Sequence, residues 1–598
     1  VLAMALAVIS GTIIWFGRKD RAPQVWPEAA GLVRLAQGYL PPNASRIEVV
    51  DAKGEKRALG EVLTERNERF DRMAMGMVLE NVMLAPSPTK ISRFVTLPDQ
   101  AALTFDYALL PEAWKARREG TVRFSVIVSD PAGNTLSRWE DDISTDWVPL
   151  RAWKSAKIDL SAHAGKQAQI AFRTRRVGWR SPKEVTSLAV WGNPMLFSAG
   201  EAQERPNIIV ILLDALRADR LGCYGCESDT SPTIDALAVE GLRFSWAFSQ
   251  APYTPPSIGS ILTSRYPEDI LHPTRSQAIA DDSRTFPQVL QEHSYTCIAV
   301  TASPIADWRG NFDIGFDVFD AYPSRAFTWD SEARIIMDDA MPLLEEYRAR
   351  SFFMYLHFMD PHDPYNAPAE FAAPFLPEYR PNSSDIRQGL SAEVEKDLTE
   401  GVLSELADKD LAYMFRLYDG TILYADSYLA NLLEELERLE LRDNTAIIII
   451  ADHGEEFMEH GGLRHGHTVY REQLRVPLIV VPPGGAARPQ VVDEPVGLIN
   501  VGATVLDLAG LGDNFGEGRS LLKTASGANQ PRPVFSELGS WIFPGSPAEK
   551  EARKSLVLGN WHLIATKEGL FELYSLSEDP GEQHNLAAAR PDLSLIHI

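Results

Sequence analysis

Three acceptor-rich clusters stand where apolar runs stop. Asp214 ends the run Asn207–Leu213, Asp452-His453-Gly454 follows the run 446–451, and Asp360-Pro361-His362 follows the run Phe352–Phe358. Carboxylates and imidazoles at neighbouring strand ends are the donors a divalent cation takes. A His ligand among oxygens fits Mn, Zn or Mg better than the all-oxygen cage that Ca prefers. One such Asp is an ordinary helix cap, whereas three in this order point to a metal site. A fourth element is Thr254-Pro255-Pro256-Ser257. Proline suits a first helical turn and threonine suits an N-cap, so a short helix is expected to run from here through Ile261 and Leu262. Thr254 would then stand at its positive end, where anions are favoured. A hydroxyl there beside a metal is a candidate nucleophile. Ser257, one turn in, is the rival hydroxyl, and a plain cap is the alternative role for Thr254.

Those clusters need a scaffold. The runs 207–213, 297–301, 352–358, 446–451 and 477–481 are continuously apolar, and helical patterns lie between them, as in 424–439 with Leu429, Leu432, Leu433 and Leu436 on one face. Buried strands alternating with helices imply an α/β unit with a parallel sheet covered on both sides. Its functional groups belong at the carboxyl ends of the strands. Ahead of it the pattern differs. The runs 94–97, 102–107, 122–128, 157–160, 169–173 and 188–191 alternate with a period near two and are separated by turn residues such as Asp130-Pro131-Ala132-Gly133-Asn134. That punctuation predicts a β-sandwich over 91–200. It is similar to the jelly-roll modules that often bind glycans, although a spacer role fits equally. Trp153, Trp179 and Trp191 suit its core as well as they suit a sugar platform. Residues 22–90 read as a linker with some strand, and 389–409 as an acidic surface insertion.

A chain of 598 residues exceeds one core. Its net charge of -24 excludes a global basic footprint for nucleic acid. An anionic substrate therefore needs locally placed cations or a metal to offset the general field. Three cysteines, Cys223, Cys226 and Cys297, exclude a disulfide framework, and the Cys223/Cys226 spacing alone is weak evidence of redox chemistry. Residues 1–16 are apolar and are followed by Arg18, Lys19 and Arg21. Segment 1–21 reads as part of a signal peptide or membrane anchor, which predicts an exported, periplasmic or extracellular protein held at a membrane. Residues 593–598, LSLIHI, resemble a translated sequencing adapter and are set aside.

The motifs together resemble the sulfatase family of the alkaline phosphatase superfamily. The stretch from Arg205 to Asp214 looks like its opening strand, and Ser231 to Ala238 like the next helix. Asp360-Pro361-His362-Asp363-Pro364-Tyr365, Asp452-His453-Gly454-Glu455, His465-Gly466 and Arg475-Val476-Pro477-Leu478 follow in family order. Leu573-Tyr574-Ser575-Leu576 with Asp579-Pro580 resembles the C-terminal signature. The resemblance implies a sulfatase-like sheet covered by helices over 205–530 and a C-terminal subdomain over 531–592, preceded by the sandwich. It also has departures. The family's modified cysteine is replaced by Thr254, its following arginine by Ile258 and the second aspartate of the opening strand by Ala215, and its lysine-bearing stretch is absent near 297–311. A threonine nucleophile resembles instead the phosphodiesterase and the phosphoglycerol- or phosphoethanolamine-transferase branches of the superfamily.

Carried over residue by residue, the resemblance implies one divalent ion on Asp214, Thr254, Asp452 and His453. Thr254 would be the nucleophile, and His362 and His465 would bind the ester oxygens or protonate the leaving group. Asp360 and His467 are further substrate-side or second-metal candidates, and His460 reads as a plain hydrogen-bonding histidine. The expected activity is hydrolysis of a sulfate or phosphate ester, with glycan esters among the substrates. A membrane-anchored phospho-group transferase and an inactive glycan-binding protein are the competing readings.

Overall fold

Alternating burial along the early strands builds two facing sheets. The computed structural model describes residues 89–109, 121–144, 153–177, 189–198, 205–272, 277–321, 333–400, 402–403, 405–539, 552–566, 569–590 and 593, with short strands at 32–34, 48–50, 56–58, 72–75 and 78–84. Segment 1–21, Trp179 and residues 594–598, on which the readings above also drew, lie outside the described residues. The chain divides into two compact units, one of residues 1–204 with 292–294 and 317–320, the other of 205–291, 295–316 and 321–598.

The first unit contains β1 (Val78–Leu84), β2 (Thr89–Thr96), β3 (Ala101–Leu109), β4 (Thr121–Ser129), β5 (Thr135–Ser144), β6 (Lys154–Asp159), β7 (Gln167–Val177) and β8 (Ala189–Ser198). One antiparallel sheet runs β6-β3-β8-β1 and the other β2-β7-β4-β5. Along β7, Ala168, Ile170, Phe172 and Thr174 are buried while Arg173 and Arg175 are exposed, the period-two signature of a half-buried strand. Both sheets feed one core of Leu103, Phe105, Tyr107, Val122, Phe124, Val126, Phe172 and Trp191. Trp191 is a core residue: it is fully buried, with its ring 5.1 Å from those of Phe124 and Phe172. Trp153 is half-buried. Strand β5 was not expected, because Arg138, Glu140, Asp141 and Asp142 dilute its alternation.

The second unit carries β9 (Asn207–Leu213), α1 (Pro232–Glu240), β10 (Leu242–Phe244), α2 (Thr254–Thr263), β11 (Thr296–Thr301), α3 (Ala333–Tyr347), β12 (Phe352–Phe358), α4 (Asp408–Arg438), β13 (Thr445–Ile450), β14 (Leu478–Val481) and β15 (Gln490–Val492). The sheet order is β11-β12-β9-β13-β14-β10-β15. Strands β11, β12, β9 and β13 are parallel and fully buried. The expectation of a parallel sheet needs one correction: β14 runs antiparallel to both β13 and β10, so the sheet is mixed. The chain leaves the carboxyl end of β13, spends 451–477 in loops and short elements, and re-enters the sheet from that same end. A parallel return would need a crossover to the opposite end. Helix α4 begins well before the predicted 424–439 segment, and Leu429, Leu432 and Leu436 are its buried face there. Within 389–409, Ser391–Thr399 forms a short helix. An antiparallel meander follows: β16 (Val534–Leu538), β17 (Arg553–Leu558), β18 (Trp561–Thr566) and β19 (Phe571–Ser575). It packs Val534, Leu538, Val557 and Ile564 against Phe248, Val469 and Leu474. Among the described residues, no helix is long and apolar enough to cross a membrane.

Candidate active site

Strands β9 and β13 are hydrogen-bonded neighbours, so Asp214 and Asp452, each just past its strand, emerge side by side. His453 follows Asp452. Ligand atoms of Asp214, Asp452 and His453 all lie within 4.8 Å of one another, and all three residues are buried. His453 Nε2 stands 3.6 Å from Asp214 Oδ1 and 3.4 Å from Asp452 Oδ2. Those two oxygens are buried and have no hydrogen-bond partner. Two unsatisfied buried carboxylate oxygens facing an imidazole nitrogen are costly unless a cation joins them. The donor set therefore fits a divalent ion.

The remaining atoms of the three candidate ligands are committed elsewhere, which fixes their orientation. Asp452 Oδ1 accepts from the backbone N–H groups of Ala215 at 3.2 Å and His453 at 3.0 Å. Ala215 holds a positive φ of 59°. His453 Nδ1 is 2.9 Å from the Gly454 carbonyl, so it must be the donor. Nε2 then carries the lone pair, as a metal ligand requires. Asp214 Oδ2 accepts from His357 Nε2 at 3.1 Å, and His357 Nδ1 is 3.2 Å from the Thr301 hydroxyl. Burial pushes the Asp214 carboxyl up, but the His357 bond and the neighbouring histidines prevail and hold it low. Burial and the Asp214 charge push Asp452 up. His357 is the residue that the sequence reading missed. Its signal was available: it is the one imidazole inside the otherwise apolar and aromatic strand FFMYLHF.

Thr254 opens helix α2 as its first residue, and Tyr253 is the cap. The expectation that Thr254 is itself the N-cap is thus corrected by one position. Its hydroxyl caps nothing and lies 3.1 Å from His453 Nε2. The proline pair also changes what the helix offers an anion. Pro255 and Pro256 have no N–H, and Ser257 N–H donates to the Tyr253 carbonyl at 3.2 Å. An anion at this helix start would therefore depend mainly on side chains and on any cation held beside it. Ser257 is buried and spent: its hydroxyl donates to the Asp452 carbonyl at 2.6 Å and sits 2.9 Å from Ser249 Oγ.

Beyond His453 the histidines continue in a row. The His465 ring centroid is 4.2 Å from that of His453, and His362 is 5.0 Å from His465. His465 Nδ1 is 2.8 Å from Glu455 Oε1, and Tyr365 OH donates to Glu455 Oε2 at 3.1 Å. Burial keeps the His465 imidazole well below its ordinary range and pushes Glu455 well above its own. His362 Nδ1 donates to the Asp363 carbonyl at 2.6 Å. The other two candidates are held elsewhere. Asp360 Oδ2 accepts from the Ala333 N–H at 2.8 Å, at the start of α3. His467 Nε2 is 2.8 Å from Glu456 Oε2, whose bond raises the imidazole against the effect of burial. His460 lies between Glu472 and the Glu582 carbonyl, stacked on Tyr470. Cys223 and Cys226 are both free, and burial raises the Cys223 thiol, which disfavours a thiolate at that position.

Comparison with known proteins bears on the family and the fold. The family model described as Sulfatase matches residues 206–511. The uncharacterized sulfatase YidJ of Escherichia coli (strain K12) is 24% identical over 425 residues, covering 64% of this chain and 83% of that protein. The N-acetylglucosamine-6-O-sulfatase of Bacteroides thetaiotaomicron is 22% identical over 485 residues, covering 68% and 86%. Among solved structures, the phosphonate monoester hydrolase of Agrobacterium radiobacter superposes with a TM-score of 0.53 at 19% identity, covering 65% of this chain and 94% of its own. A protein solved with its substrate D-glucosamine-2-N,6-O-disulfate also gives 0.53, at 20% identity, covering 66% and 96%. At these identities the structural likeness carries the fold.

Proposed function

We propose, from the premise that this chain belongs to the sulfatase family, that it hydrolyses a sulfate or phosphate ester through Thr254 as covalent nucleophile. The observation that carries the reading is the meeting of the Thr254 hydroxyl with His453 Nε2, beside two buried carboxylate oxygens that lack partners.

A divalent ion held by Asp214, Asp452, His453 and Thr254 would supply Lewis acidity, lowering the hydroxyl pKa and neutralising charge on the ester. The chain supplies the rest. Gly454 fixes the tautomer of His453, and His357 fixes the rotamer of Asp214. Thr254 Oγ1 forms a bond to phosphorus or sulfur as the bond to the leaving oxygen breaks, and water then attacks the same central atom and frees the threonine. His465, kept neutral by burial, serves as a hydrogen-bond partner for the ester oxygens. The proton for the leaving oxygen falls to His362.

Threonine cannot form an aldehyde hydrate, so its adduct opens only by attack at the central atom. That route favours phosphoesters, which are expected to turn over at least as well as sulfate esters. The likeness to a phosphonate monoester hydrolase supports this. The relative named as an N-acetylglucosamine-6-O-sulfatase supports a glycan ester as substrate. In this reading the first unit is a jelly-roll-like accessory module, and segment 1–21 exports the protein and retains it at a membrane. Paired sulfate and phosphate esters of one leaving group, assayed with Mn, Zn and Mg, test the reaction. Phosphoester turnover equal to or above sulfate ester turnover supports it, and robust sulfatase activity alone contradicts it.

A further inference from the structure

The outer face of the β2-β7-β4-β5 sheet carries a cationic patch within a protein of net charge -24. Register places its members. Arg173 on β7 lies opposite Lys90 on β2, and Arg175 lies opposite Arg123 on β4. Lys90, Arg173 and Arg175 are exposed, and the alternate residues of β7 point into the core. Like charges directly opposite one another across strands destabilise a sheet. Here two such pairs stand side by side. Of these four cations Arg123 is neutralised by Asp142 in a two-bond pair, and Glu140 is taken by Arg138, which leaves Lys90, Arg173 and Arg175 as the net positive charge of the face. Among the described residues, Lys90, Arg173 and Arg175 form no ion pair.

The face continues along the strands in a way that suits a sugar chain. Phe94, 70% exposed, lies opposite Gln169 on the same outer face. Between it and the cations, Gln169 Nε2 reaches Ser92 Oγ at 3.4 Å. At ~3.3 Å per residue, Phe94 and Lys90 are separated by roughly 13 Å along β2. Charge, amide and hydroxyl groups and one aromatic ring thus follow one another over several sugar lengths. Guanidinium forks match sulfate and phosphate oxygens two at a time. We propose that this sheet face, centred on Arg173 and Arg175, binds a polyanionic glycan, sulfated or phosphorylated, independently of the hydrolytic centre. A membrane surface fits less well, because Phe94 is the one large apolar side chain that stands well exposed among the described residues of this face, Ile127 and Val177 being half-buried and Ala171 buried.

The test uses affinity electrophoresis of the full chain through gels containing dextran sulfate, uncharged dextran, or vesicles with phosphatidylglycerol. The expected result is retardation by dextran sulfate, weakened by salt and absent with dextran. Arg173→Ser with Arg175→Ser should weaken dextran sulfate binding on the order of tenfold. Arg173→Lys with Arg175→Lys, which keeps the charge but loses the forks, should fall between the serine variant and the native chain, and neither pair should change turnover of a small phosphoester. Binding needs no turnover, so its failure leaves the hydrolase reading standing, and an inactive enzyme leaves the binding result standing. Equal binding by the serine variant and the native chain overturns the proposal. Retention by vesicles that matches or exceeds retention by dextran sulfate overturns it too.

Discussion

The Thr254 hydroxyl oxygen lies 3.1 Å from His453 Nε2, while the other nitrogen of that ring donates to the Gly454 carbonyl. The nitrogen facing the threonine therefore carries a lone pair directed into the space that Asp214 Oδ1 and Asp452 Oδ2 also border. The proposed nucleophile and the candidate ligand set share one geometry, and the consequences can be measured separately.

Metal retention should follow a graded order. Asp452→Asn removes a charged ligand and should abolish tight binding of a divalent ion, together with the rise in Tm that the ion gives the native chain. His357→Gln leaves every ligand in place but releases Asp214 Oδ2, and should weaken metal affinity by ~10–100-fold. Equilibrium dialysis with Mn or Zn checks both. Equal affinity in His357→Gln and the native chain would remove His357 from the account.

Ser257 should prove structural. Ser257→Ala leaves the Asp452 carbonyl and Ser249 Oγ without their buried partner, a cost of about 1–3 kcal/mol in urea unfolding. Its kcat should stay within about tenfold of the native value. A loss as large as that of a Thr254 variant would make Ser257 the better nucleophile.

A pH dependence of stability follows from His460. Burial lowers this imidazole, but its 2.6 Å contact with Glu472 prevails and raises it to about 9. A folded pKa above the unfolded value of roughly 6.5 means the gain is complete below the unfolded value and lost as pH rises through the folded one. The loss between pH 6.5 and 9.5 is at most about 3 kcal/mol. Burial also raises Glu472, whose contribution likewise declines as pH rises and is shared by the native chain and His460→Gln. Urea unfolding at the two pH values should show a steeper decline for the native chain than for His460→Gln. Parallel declines would contradict the assignment.

Asp214, Asp452 and His453 were legible in the sequence because an ionisable residue that ends a long apolar run has few other places to be. His357 was hidden by the same logic, since it lies inside such a run and the run was read as one strand. Thr254 was placed on the right helix but one position early, because two prolines suit a first turn in either frame. The direction of β14 could not be read at all: an apolar run of four to five residues carries no sign of which way it enters a sheet. Strand β5 failed for a different reason, its outward charges having broken the alternation that marked its neighbours.

The most direct measurement is kcat/KM of Thr254→Ala on a phosphate monoester with an activated leaving group, the divalent ion saturating and the fold verified by its Tm. The account predicts a loss on the order of 10³-fold or more, with a phosphorylated Thr254 peptide recoverable from acid-quenched native enzyme. A rate equal to that of the native chain would contradict it.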